Sequence, residues 1–167
     1  MEKIRSFNEE KSAWVQVDAH EVETIRLVQE KYQISDEMLT YSLDRNERAR
    51  VEFDSETQAF LLIFNVPHRE KTENHYETSP MTFIIKGGRL FTFTTVKTQY
   101  VNELMERILH KTPLQGEYSL LFHTLFVISD AFFPLIEEVN SQRTRLNNKL
   151  REKTTNKNLI AMSDLGI

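Results

Sequence analysis

The sequence predicts an α/β or α+β fold, a mixed β-sheet flanked by helices as an α/β/α sandwich and followed by a long helical arm. Three observations carry this expectation. Between Arg50 and Thr95, short apolar runs separated by turn residues read as strands. On either side of that block, apolar residues recur at steps of three and four, the spacing of helices that bury one face. After Gly116 no glycine occurs until Gly166, and the residues between read almost without break as helix.

The elements follow in order. Met1-Glu2-Lys3-Ile4-Arg5 has no apolar core segment and does not read as a signal peptide. Trp14-Val15-Gln16-Val17 alternates as a short strand. Asp18 stands three residues before Glu21, which reads as a capping box opening a helix with Val22, Ile25, Leu27 and Val28 at core spacing, ending near Tyr32. Ser35 is the candidate cap of a second helix through Leu43. Arg50 to Asp54 alternates as a strand, and Asp54-Ser55-Glu56-Thr57 supplies a turn. Phe60 to Val66 is apolar enough for a central strand that Pro67 ends. His68 to Thr78 reads as an exposed loop. Met81–Ile85 and Leu90–Thr95 flank Lys86-Gly87-Gly88-Arg89, a hairpin signal because glycine reaches positive φ without steric cost. A helix from Tyr100 to His110 completes the domain.

Thr112-Pro113 and Gly116 mark a junction, giving an α/β domain over 1–112 and a helical arm over 113–167. In the arm, Leu121, Leu125, Ile128, Phe132, Leu135, Val139, Leu146 and Leu150 draw an apolar stripe along a rod from Glu117 to Lys153, with Gln142 and Arg143 interrupting. At roughly 1.5 Å per residue the rod is about 55 Å long. A chain of 167 residues folds to a radius of gyration of only about 15 Å. The stripe is therefore expected to outrun its own domain and to be covered by another copy or by further sequence. Thr154-Thr155-Asn156 reads as a turn into a helix over Lys157–Leu165, barely two turns long and marginal alone, which reads as a cut end.

Composition narrows the function classes. With 40% hydrophobic residues the chain can bury a real core. A net charge of −4 gives no global field for nucleic acid, which is not expected as a partner. The absence of cysteine excludes disulfides, thiolate metal sites and cysteine nucleophiles. Tyr118–Ile136 approaches the roughly 20 residues of a membrane span. Because it contains His123, Asp130 and Pro134, and its apolar residues favour one side, it reads instead as the buried helix of a soluble chain.

Signals for chemistry are sparse, and no enzyme is expected. His20, His68, His75, His110 and His123 include no pair at the i, i+4 spacing of a helical metal site, so each reads as a surface or packing residue, His123 on the rim of the buried side of the rod. No Gly-x-Ser-x-Gly nucleophile turn and no phosphate-cradling glycine loop occur. Asp44-Arg45-Asn46-Glu47-Arg48-Ala49-Arg50 is a dense charge cluster, read as a solvated helix end with internal ion pairs; an anion-binding role would need a concave pocket beside it. Among the carboxylates Asp36, Glu37, Asp44 and Glu47, the candidate ligands for Mg²⁺ are Asp44 and Glu47, since this ion is usually held by one or two carboxylates and waters. No cofactor is required for catalysis.

Leu39-Thr40-Tyr41-Ser42-Leu43-Asp44, then Glu47-Arg48-Ala49-Arg50-Val51-Glu52, then Phe60-Leu61-Leu62-Ile63 resembles the amino-terminal cytoplasmic domain of CorA-type divalent cation transporters. The resemblance continues through Thr82–Ile85, Leu90–Thr94, the rod and Asn156-Lys157-Asn158-Leu159-Ile160. It implies an α/β/α domain at the cytoplasmic face of the cell membrane, feeding a helical funnel. It implies a homopentamer for the full-length parent, with a pore helix ending in Gly-Met-Asn. Neither that motif nor the pore is in this chain, so the resemblance implies the sensing and assembly portion, monomeric or dimeric by itself and meeting the membrane only through the carboxyl-terminal part. Some members sense cations between subunits through an acidic pair at the end of the second helix. The matching positions here are Thr40 and Tyr41, with Asp44 one turn on. The alternative reading is a soluble regulatory module that dimerises through its long helix.

Overall fold

The computed structural model describes residues 2–152 and 156–164. Six strands form one sheet in the order β1-β2-β6-β5-β4-β3. The strands are β1 (Lys3–Phe7), β2 (Ser12–Asp18), β3 (Arg50–Asp54), β4 (Ala59–Pro67), β5 (Thr78–Lys86) and β6 (Arg89–Thr94). Only β2 and β6 run parallel; every other pair is antiparallel, so the sheet is mixed as expected. The helices are α1 (Val22–Tyr32), α2 (Asp36–Leu43), α3 (Tyr100–Lys111), α4 (Glu117–Glu152) and α5 (Asn156–Asp164).

Alternation along the central strands feeds two cores, which is what makes three layers. Val15, Val17, Leu61, Ile63, Ile84, Phe91 and Phe93 point to the face covered by α1 and α2, where Ile25, Val28, Met38 and Leu39 meet them. Trp14, Met81, Phe83, Ile85 and Leu90 point to the other face, against Val101, Met105 and Ile108 of α3 and Leu120, Leu121 and Ile128 of α4. A slip of one residue in β5 would exchange these sets, so the register is held by both cores at once. Trp14 is fully buried and its indole N–H donates to Thr92 Oγ1 at 2.9 Å, satisfying the polar end of the largest core side chain.

Local chemistry explains the turns. Gly87 and Gly88 have φ of 59° and 74°, the two left-handed positions that a two-residue β5–β6 hairpin requires. Ser35 caps α2 as expected, its Oγ accepting from Met38 N–H at 3.2 Å. Asp54 closes the β3–β4 turn by accepting from Glu56 N–H at 3.0 Å and from the Thr57 hydroxyl at 2.9 Å. Those bonds hold its carboxyl below its ordinary pKa, the Thr57 bond foremost.

Several local expectations are corrected. The capping box does not form: Glu21 is the N-cap of α1 without a side-chain cap bond, and Asp18 ends β2, accepting from His20 N–H at 2.8 Å. Val22 and Leu27 are exposed, so α1 presents a narrower apolar face than its sequence implies. Strand β1 was not anticipated. It is short and largely polar, and its turn into β2 uses Asn8, Glu9 and Glu10 at positive φ with no glycine or proline to mark it.

Candidate assembly surface and cation positions

Helix α4 has one face inside the domain and one outside it. The absence of glycine lets 36 residues run as one helix, about 54 Å at roughly 1.5 Å per residue. Leu120, Leu121, Thr124 and Ile128 are buried, and Leu125 and Phe132 pack partly against the same core. The expected stripe is thus covered over its first half by the chain's own sheet and α3. A second row, Tyr118, Phe122, Phe126, Phe133 and Ile136, is exposed, from 41% at Tyr118 to 73% at Phe126. Its centre lies about 100° around the helix from the Leu121–Ile128 row. The bare surface is therefore not the predicted stripe but its neighbour, and the helix is not the mostly buried one expected. By length and composition α4 could cross a membrane, and only 22% of its most apolar 18-residue window is buried. His123 is exposed, not on the buried rim, with Nδ1 2.8 Å from the Ser119 carbonyl.

The bare row continues onto the sheet. Tyr118 meets the half-buried Phe60 of β4 edge to face, 5.7 Å between ring centroids. Phe60 pairs across strands with Phe53, and Leu62 with Val51. Phe53 and Val51 lie on β3, one of the two edge strands, and are 55% and 63% exposed. Apolar side chains rarely collect on a surface this way without a partner to cover them.

Further along, the loop between β4 and β5 holds α4. His68 N–H donates to Glu77 O at 2.8 Å and closes the loop. His68 itself is buried, its ring Nε2 2.5 Å from Ser79 Oγ. Lys71 and the Tyr76 hydroxyl both reach Glu138 of α4, the latter at 2.8 Å. A cleft of about 250 Å³ lies beneath, lined by Pro67, Tyr76, Phe132, Leu135 and Val139, so the distal stripe is partly sheltered by this loop. Leu146 and Lys149 then line a cleft with Ala161 and Asp164 of α5. Helix α5 spans Asn156–Asp164, close to its expected bounds, while Thr154, Thr155 and Leu165 lie outside the described residues.

The candidate cation ligands sit in one turn, Glu47 N–H donating to Asp44 O at 3.4 Å, and their carboxylates take different partners. Asp44 is exposed at the C-cap of α2, and its Oδ1 accepts from Asn46 N–H at 2.8 Å. Glu47 is turned toward Arg50, 3.8 Å away, and its Oε1 also accepts from Arg48 N–H at 3.2 Å. Among the described residues no group of three histidine or acidic side chains is arranged to hold a metal. At the positions matching the acidic pair, Thr40 Oγ1 donates to Asp36 O and Tyr41 donates to Glu37. Arg50 stacks on the Tyr41 ring at 4.3 Å, which together with Glu52 and Glu47 holds the guanidinium's pKa above its ordinary value.

The family profile described as "CorA-like Mg2+ transporter protein" matches residues 9–166. The soluble domain of CorA from Methanocaldococcus jannaschii superposes with a TM-score of 0.72 at 22% identity, covering 94% of this chain and 62% of that one. The complete CorA magnesium transporter from the same organism gives 0.71 at 23% identity, covering 94% of this chain and 49% of that one. The cytoplasmic domain of ZntB from Vibrio parahaemolyticus gives 0.55 at 13% identity, covering 84% and 54%. This chain thus spans under two thirds of each of these structures. Among curated proteins none matches it.

Proposed function

Because the chain belongs to the CorA-like Mg²⁺ transporter family, we propose that it is the cytoplasmic regulatory and assembly domain of a divalent-cation transporter, with Mg²⁺ the first candidate for the transported ion. Conduction falls to the part of such a transporter that lies beyond this domain, and the domain itself performs no catalysis. The observation that carries the reading is the bare aromatic row on α4, running into Phe53 and Val51 at the sheet edge. A domain that works alone has no use for such a surface, whereas one that must seat against neighbouring helices needs it.

Magnitudes bear on oligomeric state. Fully burying an aromatic or aliphatic side chain stabilises by about 1.5–3 kcal/mol. The exposed portions of Tyr118, Phe122, Phe126, Phe133 and Ile136 together amount to a gain of about 4–9 kcal/mol if covered. Association costs an estimated ~4–15 kcal/mol in lost freedom. The row by itself therefore supports weak self-association, in keeping with a monomer or dimer for this chain and with a homo-oligomer, a pentamer by family resemblance, for the longer parent.

Of the two candidate carboxylates, Asp44 is the one with no ion pair among the described residues, since Glu47 faces Arg50 at 3.8 Å. Mg²⁺ keeps several waters and accepts one or two carboxylates, so a regulatory ion here would have to be shared with a second copy. Sedimentation velocity with and without millimolar Mg²⁺ tests the proposal. Association that strengthens with the metal supports the transporter domain. A tight dimer indifferent to the metal supports the alternative, a regulatory module that dimerises through its long helix.

A further inference from the structure

We propose that the pocket above the carboxyl ends of the parallel pair β2 and β6 binds a phosphate group, free or as a monoester. The pocket measures about 260 Å³ and is lined by His20, Arg45 and Lys97 together with Ser79, Thr95 and Val96. Its position follows from topology. The chain leaves β2 through His20 and leaves β6 through Thr95–Lys97, while β5 enters beside them at Ser79 and the α2–β3 loop delivers Arg45. Crevices outside the carboxyl ends of parallel strands are where α/β sheets commonly admit ligands.

The charge pattern selects an anion. The cationic Arg45 and Lys97 come from separate segments of a chain whose net charge is −4, yet no carboxylate lines the pocket. Among the described residues none of His20, Arg45 and Lys97 has a side-chain ion pair or hydrogen bond, whereas Arg50, from the same charge cluster as Arg45, is stacked on Tyr41 and paired with Glu47 and Glu52. The structure thus divides that cluster: Arg50 behaves as a solvated, internally paired residue, and Arg45 stands beside the concavity that an anion site needs.

A phosphate suits this lining better than a carboxylate does. It carries a charge of about −1.5 to −2 as a monoester and presents three acceptor oxygens, enough for Arg45, Lys97 and a hydroxyl at once. The volume leaves room for a small organic group beyond the phosphorus. The proposal stands apart from the transporter reading, because no step of it depends on oligomerisation or on a divalent cation.

The test is a titration of ¹⁵N-labelled 167-residue chain with sodium phosphate at constant ionic strength, chloride serving as the counter-titrant, and a parallel titration with AMP. Saturable shifts at the His20, Ser79, Thr95 and Lys97 amides are expected. Arg45→Ala and Lys97→Ala should each weaken the apparent Kd about tenfold or more while leaving the melting curve of the wild type unchanged, since both side chains are exposed and unpaired. Co-sedimentation with vesicles of phosphatidylcholine, with and without phosphatidate, identifies the source of the phosphate. Binding to phosphatidate vesicles that both variants abolish supports a lipid headgroup, and binding of phosphate or AMP that both abolish supports a soluble ligand. Shifts no larger than those chloride produces, with no phosphatidate-dependent sedimentation, overturn the proposal, as does binding that both variants retain.

Discussion

Ile128 and Phe126 stand two residues apart on α4, and the domain treats them in opposite ways. Ile128 is wholly buried against the sheet and α3, while Phe126 is 73% exposed. Both are large and apolar, so hydrophobicity alone does not separate them. What separates them is angle. The buried and bare rows form one broad apolar arc, and the domain covers only the side that meets Trp14, β5, β6 and α3. One row builds the fold, and the other is left to build something larger.

The largest expected effect breaks the buried row. Ile128→Ala removes side-chain volume from a closed core and should lower stability by about 2–5 kcal/mol in urea denaturation. Phe126→Ala, which removes more atoms, should change stability by no more than about 0.5 kcal/mol in the same assay. Equal losses from the two substitutions would mean that the rows are not distinct.

The next effect concerns assembly. Phe122→Ser with Phe126→Ser should abolish any concentration-dependent sedimentation of the chain while preserving its circular dichroism spectrum. Asp44→Asn should remove the Mg²⁺-dependent part of association, and Glu47→Gln, already engaged by Arg50, should remove less of it.

Much of this organisation is legible in the residues, and the exceptions are physical. Strands β4, β5 and β6 are apolar enough to announce a sheet buried on both faces, and Gly87-Gly88 marks their hairpin. Glycine is absent throughout α4, and its one proline, Pro134, leaves it a single helix. Periodicity reports that α4 is amphipathic, but it does not say which part of a broad arc a sheet will occupy. That depends on where α3 and the Thr112–Gly116 turn set the helix down. Strand β1 escaped because KIRSF carries little apolar alternation and gains its place by pairing with β2. For the cation candidates, the charge cluster reads as internally paired from its residues; the fold pairs Glu47 with Arg50 and gives Asp44 the Asn46 N–H instead of an arginine.

Two smaller effects sharpen the contrast between the domain and the exposed reach of α4. Glu138→Ala removes the acceptor for Lys71 and Tyr76, so amide exchange in residues 69–76 should quicken while global stability falls by no more than about 1 kcal/mol. Asp54 has a carboxyl pKa below its ordinary 3.8, held there by Thr57 and the Glu56 amide. The stability this adds is present above the unfolded pKa and is lost as pH falls through the folded one. The urea midpoint should therefore decline slightly less steeply below about pH 4 in Asp54→Asn than in the wild type.

The central claim is that the Phe126 face of α4 is an interface and the Ile128 face a core. The chain has no cysteine, so a single introduced thiol reports one position without background. Maleimide labelling of Phe126→Cys and Ile128→Cys, followed across a concentration series with Mg²⁺, measures both faces directly. The account predicts that Cys at 128 is protected throughout, and that Cys at 126 labels rapidly in dilute protein and slows as the chain associates. Labelling at 126 that stays fast while sedimentation reports an oligomer would contradict it.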